Sequence, residues 1–322
     1  MKTPVRWGET AAKLGTAVGL IFVFALFSVL RPHEFLTFDN IELILLQTAV
    51  VGMAALGMTI IIVSGGIDLS VGSNIALCTV VIATLLSRGY NPILSALGGV
   101  IAGALCGLLI GLLVTQLKLS SFIITLGLWG AIRGLAIGLA HENSVVAPVT
   151  WLNKLLFLLA PNQHWMLFPP GVWLVLVLGL VVSAALRFTR FGRHVFAIGS
   201  NEQTARLCGV PIDRTKLLIF TLGAAFAGLA GVLQFSYLTL GDPTTAQGYE
   251  LDAIAAVVIG GASLSGGQGS VLGSLLGAMI MTTISNGCTK LNLDNWVQQI
   301  VTGAIIIFAV ALDRLRRRTS EA

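Results

Sequence analysis

Charge is the scarcest thing in this sequence. Asp, Glu, Lys and Arg make up 10% of its 322 residues, against about 25% in soluble globular proteins. A chain so poor in charge cannot cover a water-facing surface, which excludes a soluble globular fold. Short-period alternation is missing too. The hydrophobic residues, 56% of the chain, come in continuous runs, not in the alternating segments of a membrane β-barrel. The four cysteines, Cys78, Cys106, Cys208 and Cys288, have neither paired nor metal-type spacing and read as small apolar packing residues. His33, His141, His164 and His194 are isolated, with no H-E-x-x-H pattern and no G-x-S-x-G elbow. The sequence therefore presents no catalytic set and no metal site, and it reads as a non-enzyme. There is no Gly-Lys pair, so the phosphate-cradling G-x-x-x-x-G-K-[ST] loop is excluded. A cleavable signal is also missing: the first apolar run, about 14–30, leads into Arg31-Pro32-His33-Glu34 without a small-residue cleavage site.

What remains is apolar runs, several near or above the roughly 18 residues expected of a membrane helix. They predict an all-α, polytopic membrane protein of about ten transmembrane helices, in one domain over 1–322. The segments are about 14–30, 43–63, 73–88, 91–117, 121–140, 171–187, 217–239, 251–262, 270–286 and 298–313. The third, eighth and ninth are short for a bilayer near 30 Å thick and are candidates for broken or partly crossing helices. Starting inside, the cytoplasmic stretches carry fourteen of the nineteen Lys and Arg and the external ones four, with Arg133 inside a span. That bias places both termini in the cytoplasm and explains the net charge of +5 without nucleic acid as a partner. Two connectors are long. Residues 188–216 are basic and cytoplasmic; 141–170 are external and include WLNKLLFLLA (151–160), too short to span and expected along the interface.

GGIDLS (65–70) and GGASLS (260–265) echo each other, and Gly-Ser follows each. Two related halves, about 43–140 and 217–313, are one reading, and chance in a chain with 37 glycines is the other. The second copy overlaps LSGGQ (264–268), identical to the signature of ABC ATPases. Without a phosphate-binding loop elsewhere, its glycines read as a tight turn between apolar segments. In SGGIDLSVGSN (64–74), Asp68, Ser70 and Asn74 set polar groups beside apolar spans. They fit capping, gating or a substrate pathway. Trp129 and Arg133 are four apart in a helical run and share a face, fit to contact a sugar or to tie spans together. In 189–216, Ser200 or Asn201 starts a short helix, with Glu202 in its first turn, and Gly209 and Pro211 stop it. Asp242, Glu250 and Asp252 lie at an external turn and at the mouth of a span, as a partner contact or as ordinary acids at a helix start.

Three strings, MTIIIVSGGIDLSVGS (58–73), TRFGRHVFAIGSNEQTARLCGV (189–210) and GYELDAIAAVVIGGASLSGGQGS (248–270), closely resemble permeases of the ribose, xylose and galactose class of ABC importers. More distantly, they are similar to branched-chain amino-acid permeases. The resemblance implies a permease of the bacterial inner membrane that imports a monosaccharide by alternating access. It implies a second permease copy, a cytoplasmic ABC ATPase that holds the ATP-Mg, and a periplasmic sugar-binding protein, with no cofactor in this chain. It also implies that the loop matching 189–216, with Ser200, Asn201, Glu202, Thr204, Ala205, Arg206 and Gly209, docks the ATPase. The competing readings are an ion-coupled secondary transporter and an ABC permease for another small polar solute, such as a nucleoside or an amino acid.

Overall fold

The computed structural model describes residues 7–159 and 161–321. Thirteen α-helices follow one another among them. They are α1 (Trp7–Leu30), the one-turn α2 (Pro32–Phe35), α3 (Phe38–Val63), α4 (Val71–Ser87), α5 (Pro92–Leu117), α6 (Ser121–Leu139), α7 (Pro170–Phe188), α8 (Arg190–Ser200), α9 (Glu202–Leu207), α10 (Ile212–Leu238), α11 (Tyr249–Ile259), α12 (Val271–Lys290) and α13 (Asn295–Glu321). Two-residue strands β1 (Val145–Val146) and β2 (Leu240–Gly241) pair antiparallel, Val145 opposite Gly241. Lys2 and Arg6 of the charge count lie outside the described residues.

About ten transmembrane helices is a count that needs correcting. Among the described residues, six helices are long and apolar enough to cross a membrane: α3, α5, α6, α7, α10 and α12. Apolar stretches at Gly15–Leu30, Val71–Ser87 and Asn295–Phe308 are shorter. The run at 251–262 yields α11, with 11 residues, about 16 Å long at 1.5 Å per residue. Hydropathy measures only how apolar a run is. It does not register where Gly260 and Gly261 turn the helix off.

Burial ranks the helices. The most apolar stretch of α3 is 89% buried, against 33% for α5, 28% for α6 and 33% for α7. Helix α3 is therefore the central post, packed by α7, α10, α11 and α12. Helices α5 and α7 turn apolar faces outward, with Ile93, Leu97, Ile101, Leu105 and Leu180 exposed, as a lipid-facing surface requires. The closest helix pair is α5 with α10. A Cβ at Gly103 would meet the Ala224 carbonyl oxygen at 2.8 Å, and one at Gly107 would overlap the Phe220 carbonyl. Glycine four residues apart lets the backbones touch, the usual way membrane helices gain packing without a hydrophobic drive.

The starts of these helices are written locally. Thr37 Oγ1 accepts from the Asn40 N–H at the start of α3, Asn91 Oδ1 from Ile93 at α5, and Ser270 from Gly273 at α12. The stretch expected along the interface, 151–160, is described as far as Leu159. It forms a 3-10 turn at Trp151–Lys154 and folds inward, burying Leu152, Leu156 and Leu159. The Leu156 N–H donates to Ser236 Oγ and the Leu159 N–H to Glu42 Oε1, because its amides find partners on α10 and α3 that lipid does not offer.

Candidate functional site: a junction of two part-length helices and a basic elbow

After α3 the chain turns at Gly65, whose φ of +82° suits glycine, and runs extended through 64–70. The Ile67 N–H donates to Ser121 Oγ at 3.1 Å, at the first turn of α6. Asp68 Oδ1 accepts from the Ser70 N–H at 2.8 Å and from Ser70 Oγ at 2.6 Å, an Asx turn just ahead of α4. Three residues into α4, Ser73 Oγ already donates to the Trp129 carbonyl. Asn74 Nδ2 reaches the carbonyls of Gly103 and Ala224 at 3.4 and 3.3 Å, each near the middle of its long helix. The extended stretch thus carries the chain from the end of α3 to mid-depth, and α4 begins there. Asp68, Ser70 and Asn74 are all buried.

A second segment, 239–248, enters from the other side. Thr239 ends α10 at φ 61°, and Gly248 at φ 88° turns the chain into α11. Between them, Arg133 Nη1 on α6 donates to the carbonyls of Pro243 at 2.8 Å and Thr245 at 2.7 Å. Gln234 Nε2 on α10 donates to Thr245 Oγ1 at 2.8 Å, and Asp242 folds onto its own Thr244. The first turn of α11 then meets the first turn of α4: a Cβ at Gly72 would overlap Glu250 Oε2 and the Ala246 carbonyl. Two helix N-termini, each carrying a partial positive charge, face one another around the Glu250 carboxylate.

Arg133, Gln234 and Glu250 are each more than nine-tenths buried. Arg133 Nη2, Gln234 Oε1, Glu250 Oε2 and Asp68 Oδ2 are buried without a hydrogen-bond partner. Arg133 and Glu250 act on each other through space, and the Trp129 indole lies beside the Glu250 carboxyl. Of Asp68, Ser70, Asn74, Trp129 and Arg133, grouped from sequence as pathway or gating residues, Trp129 and Arg133 lie at this junction, Ser70 and Asn74 flank the start of α4 beside it, and Asp68 sits on the stretch leading to it. The three acids grouped as a partner contact do not share one surface: Glu250 is buried here, whereas Asp242 and Asp252 are half-buried. Gln234 went unnoticed in the sequence. A lone Gln in an apolar helix carries no pattern, though its polarity alone marks it.

The region 189–216 holds two helices where one is expected. Helix α8 starts on Thr189, whose hydroxyl accepts from Gly192. Asn201 caps α9 by accepting from the Thr204 N–H at 2.8 Å, and Gly209, at φ +82°, ends it. Ser200, Asn201, Thr204, Arg206 and Gly209 are exposed along this elbow. Glu202 is tied down by Lys216 at 2.7 Å and Arg206 at 3.5 Å. Ala205 is buried in a small cluster with Ile198 and Ile212. Leu207, 89% exposed, completes a surface depression with Glu202, Gln203 and Arg206.

The elbow rests on both glycine motifs. A Cβ at Gly199 would overlap the Val63 carbonyl and come within 2.5 Å of the Gly267 amide nitrogen. The Gly267 N–H in turn donates to the Val63 carbonyl at 2.8 Å. Gly266 and Gly267 have φ of +85° and +76°, so LSGGQ is a tight turn. No group of His, Cys, Asp and Glu able to hold a metal ion occurs among the described residues.

The model of the family described as "branched-chain amino acid transport system / permease component" matches residues 40–310. The chain is 39% identical over 310 residues to a ribose import permease protein of Bacillus subtilis (strain 168), covering 94% of this chain and 92% of that one. It is 39% identical to a probable ABC transporter permease protein of Escherichia coli (strain K12), with 96% and 92% covered. To an L-arabinose ABC transporter permease protein of Azospirillum brasilense it is 34% identical, with 96% and 89% covered. No solved structure matches. The three strings at 58–73, 189–210 and 248–270 all fall inside the matched span, and the chain belongs to this permease-component family of branched-chain amino acid transport systems.

Proposed function

We propose that this protein is the membrane-embedded permease subunit of an ATP-driven ABC importer and moves a monosaccharide across a bacterial inner membrane. It is not an enzyme: ATP-Mg is bound and hydrolysed by a separate cytoplasmic ATPase, and a periplasmic binding protein delivers the sugar. Two permease copies enclose the pathway and alternate their access. The sugar class comes from the ribose and arabinose permeases that match almost the whole chain.

The observation that carries the reading is mechanical. A basic, capped, surface-facing elbow is wedged against both motif turns, and one of those turns leads directly into α4. The Lys and Arg on and around the elbow put it on the cytoplasmic side, where an ATPase is available. A push on it is passed by backbone contact to the segment that ends at the mid-depth junction. Proteoliposomes holding permease, ATPase and binding protein test this. Sugar accumulation should need internal ATP and survive collapse of the ion gradients. Accumulation that follows a gradient and ignores ATP would make the protein a secondary transporter.

A further inference from the structure

We propose that Arg133, Gln234 and Glu250, with the Trp129 indole, form the contact site for a neutral polyhydroxylated solute in transit. The proposal rests on the importer reading and names where within the chain the sugar is held.

The first argument is unspent bonding capacity. Each of the three side chains is more than nine-tenths buried, and each keeps one polar atom without a partner. Leaving such a group unsatisfied destabilises the fold, more so when it is charged, so three at one junction are poor scaffolding. Their other atoms are well used. Arg133 Nη1 bridges two carbonyls of 239–248, and Gln234 Nε2 holds Thr245. The fixed halves orient the free halves: one charged donor and two acceptors from three helices.

The second argument is charge. Arg133 and Glu250 act on each other through space without closing a direct ion pair. At the centre of the site the guanidinium and the carboxylate offset one another, with Asp242 and Asp252 also acting on this pair, so the site is strongly polar. A free anion meets the carboxylate and a free cation meets the guanidinium. A sugar hydroxyl donates to one and accepts from the other, so a neutral polyol is favoured over either ion. The two helix N-termini stabilise the carboxylate when no solute is there.

The third argument is access. Trp129 is 41% exposed, and it lies between the polar group and the outer face of α6. Along that face a Cβ added at Gly127 or Gly130 would meet nothing within 4 Å. An indole presents a flat apolar surface with one polar edge, suited to the C–H face of a sugar ring. Entry is thus from the open side of α6, past an aromatic platform, to a donor and two acceptors. Discontinuous helices meeting at mid-depth are where transporters commonly hold their cargo.

Glu250→Gln keeps the shape and removes the charge; Trp129→Ala removes the platform. Each is assembled with its ATPase and binding protein in proteoliposomes and offered radiolabelled aldopentoses and aldohexoses. Sugar moved per ATP hydrolysed should fall about ten-fold in Glu250→Gln, the scale of one charge-assisted hydrogen bond. Stimulation of the ATPase by loaded binding protein should persist, and Glu250→Asp should recover part of the loss. Trp129→Ala should reorder the preference among the sugars. Unchanged uptake per ATP with unchanged preference overturns the site. So does loss of uptake together with ATPase co-purification, because that marks a structural role. A wild-type complex that moves no sugar with ATP rejects the importer reading instead, and is read separately from the variants.

Discussion

Arg133 shows what one side chain can do at a broken helix. Its Nη1 bridges two carbonyls two residues apart, at 2.8 and 2.7 Å, and so fixes the path of 239–248. Lysine offers a point-like ammonium on a flexible stem and does not reproduce that planar fork. Arg133→Lys should destabilise the purified permease by about 1–3 kcal/mol, seen as a lower melting midpoint in detergent; an unchanged melt would make the pin dispensable. Asp68 makes a more local contribution. Asp68→Ala removes both hydrogen bonds to Ser70 and should cost about 1–3 kcal/mol. Uptake should drop more than expression, with Asp68→Asn, which keeps an acceptor, in between. Normal uptake by the Ala variant would reduce the motif to a replaceable turn. The Asp68–Ser70 contact was legible because the partners are two residues apart. The approach of Arg133 to Glu250 was not, because it joins α6 to α11 and no local pattern reports on it.

The elbow at α8–α9 was the most legible element. Its caps, Asn201 and Gly209, act over three or four residues, and that is the range over which sequence speaks directly. The orientation of α9 was not legible. Ala205 looked small enough to face a partner, yet it packs on Ile198 and Ile212 at 4% exposure. A Trp at Ala205 would therefore overpack the elbow itself, at about 1–3 kcal/mol, and confound any test of docking. The face that points outward carries Gln203, Arg206 and Leu207. An exposed Leu beside an Arg offers apolar area for a partner to bury next to the residue type that interface hot spots favour. Leu207→Asp should leave the melt of the permease unchanged while ATPase co-purification falls at least ten-fold. Full co-purification would move the docking face to the turns at 64–70 or 263–269.

Across the whole molecule, Asn74, Arg133, Gln234 and Glu250 bring buried polar side chains from α4, α6, α10 and α11 to one junction. The apolar runs made a helical membrane protein readable, and the motif turns were readable from their glycines. The starting depth of α4 and α11 was not, since hydropathy has no register for how far into the bilayer an extended segment reaches. Only the contacts of Asn74 and Glu250 place those starts. A site with three side chains and a platform gives little binding energy once the cost of holding a solute is met. Calorimetry of the isolated permease with monosaccharides should find affinity no tighter than millimolar. Micromolar affinity would make the permease itself the selective binder.

Helix α10 begins at Ile212, one residue beyond the Pro211 that leaves the elbow, and it carries Gln234 twenty-two residues later. That distance is about 33 Å at 1.5 Å per residue. Along the way its backbone is seated against α5 at Gly103 and Gly107, with no side chain between to absorb motion. The pair therefore behaves as a stiff rod with a handle at the basic elbow and a single amide at its far tip. Glu250 belongs to a different unit, α11 with α12. A few degrees of tilt at the handle translate into ångströms of separation between that amide and that carboxylate. Cargo release then needs no change in either group's chemistry, only a change in the gap between them.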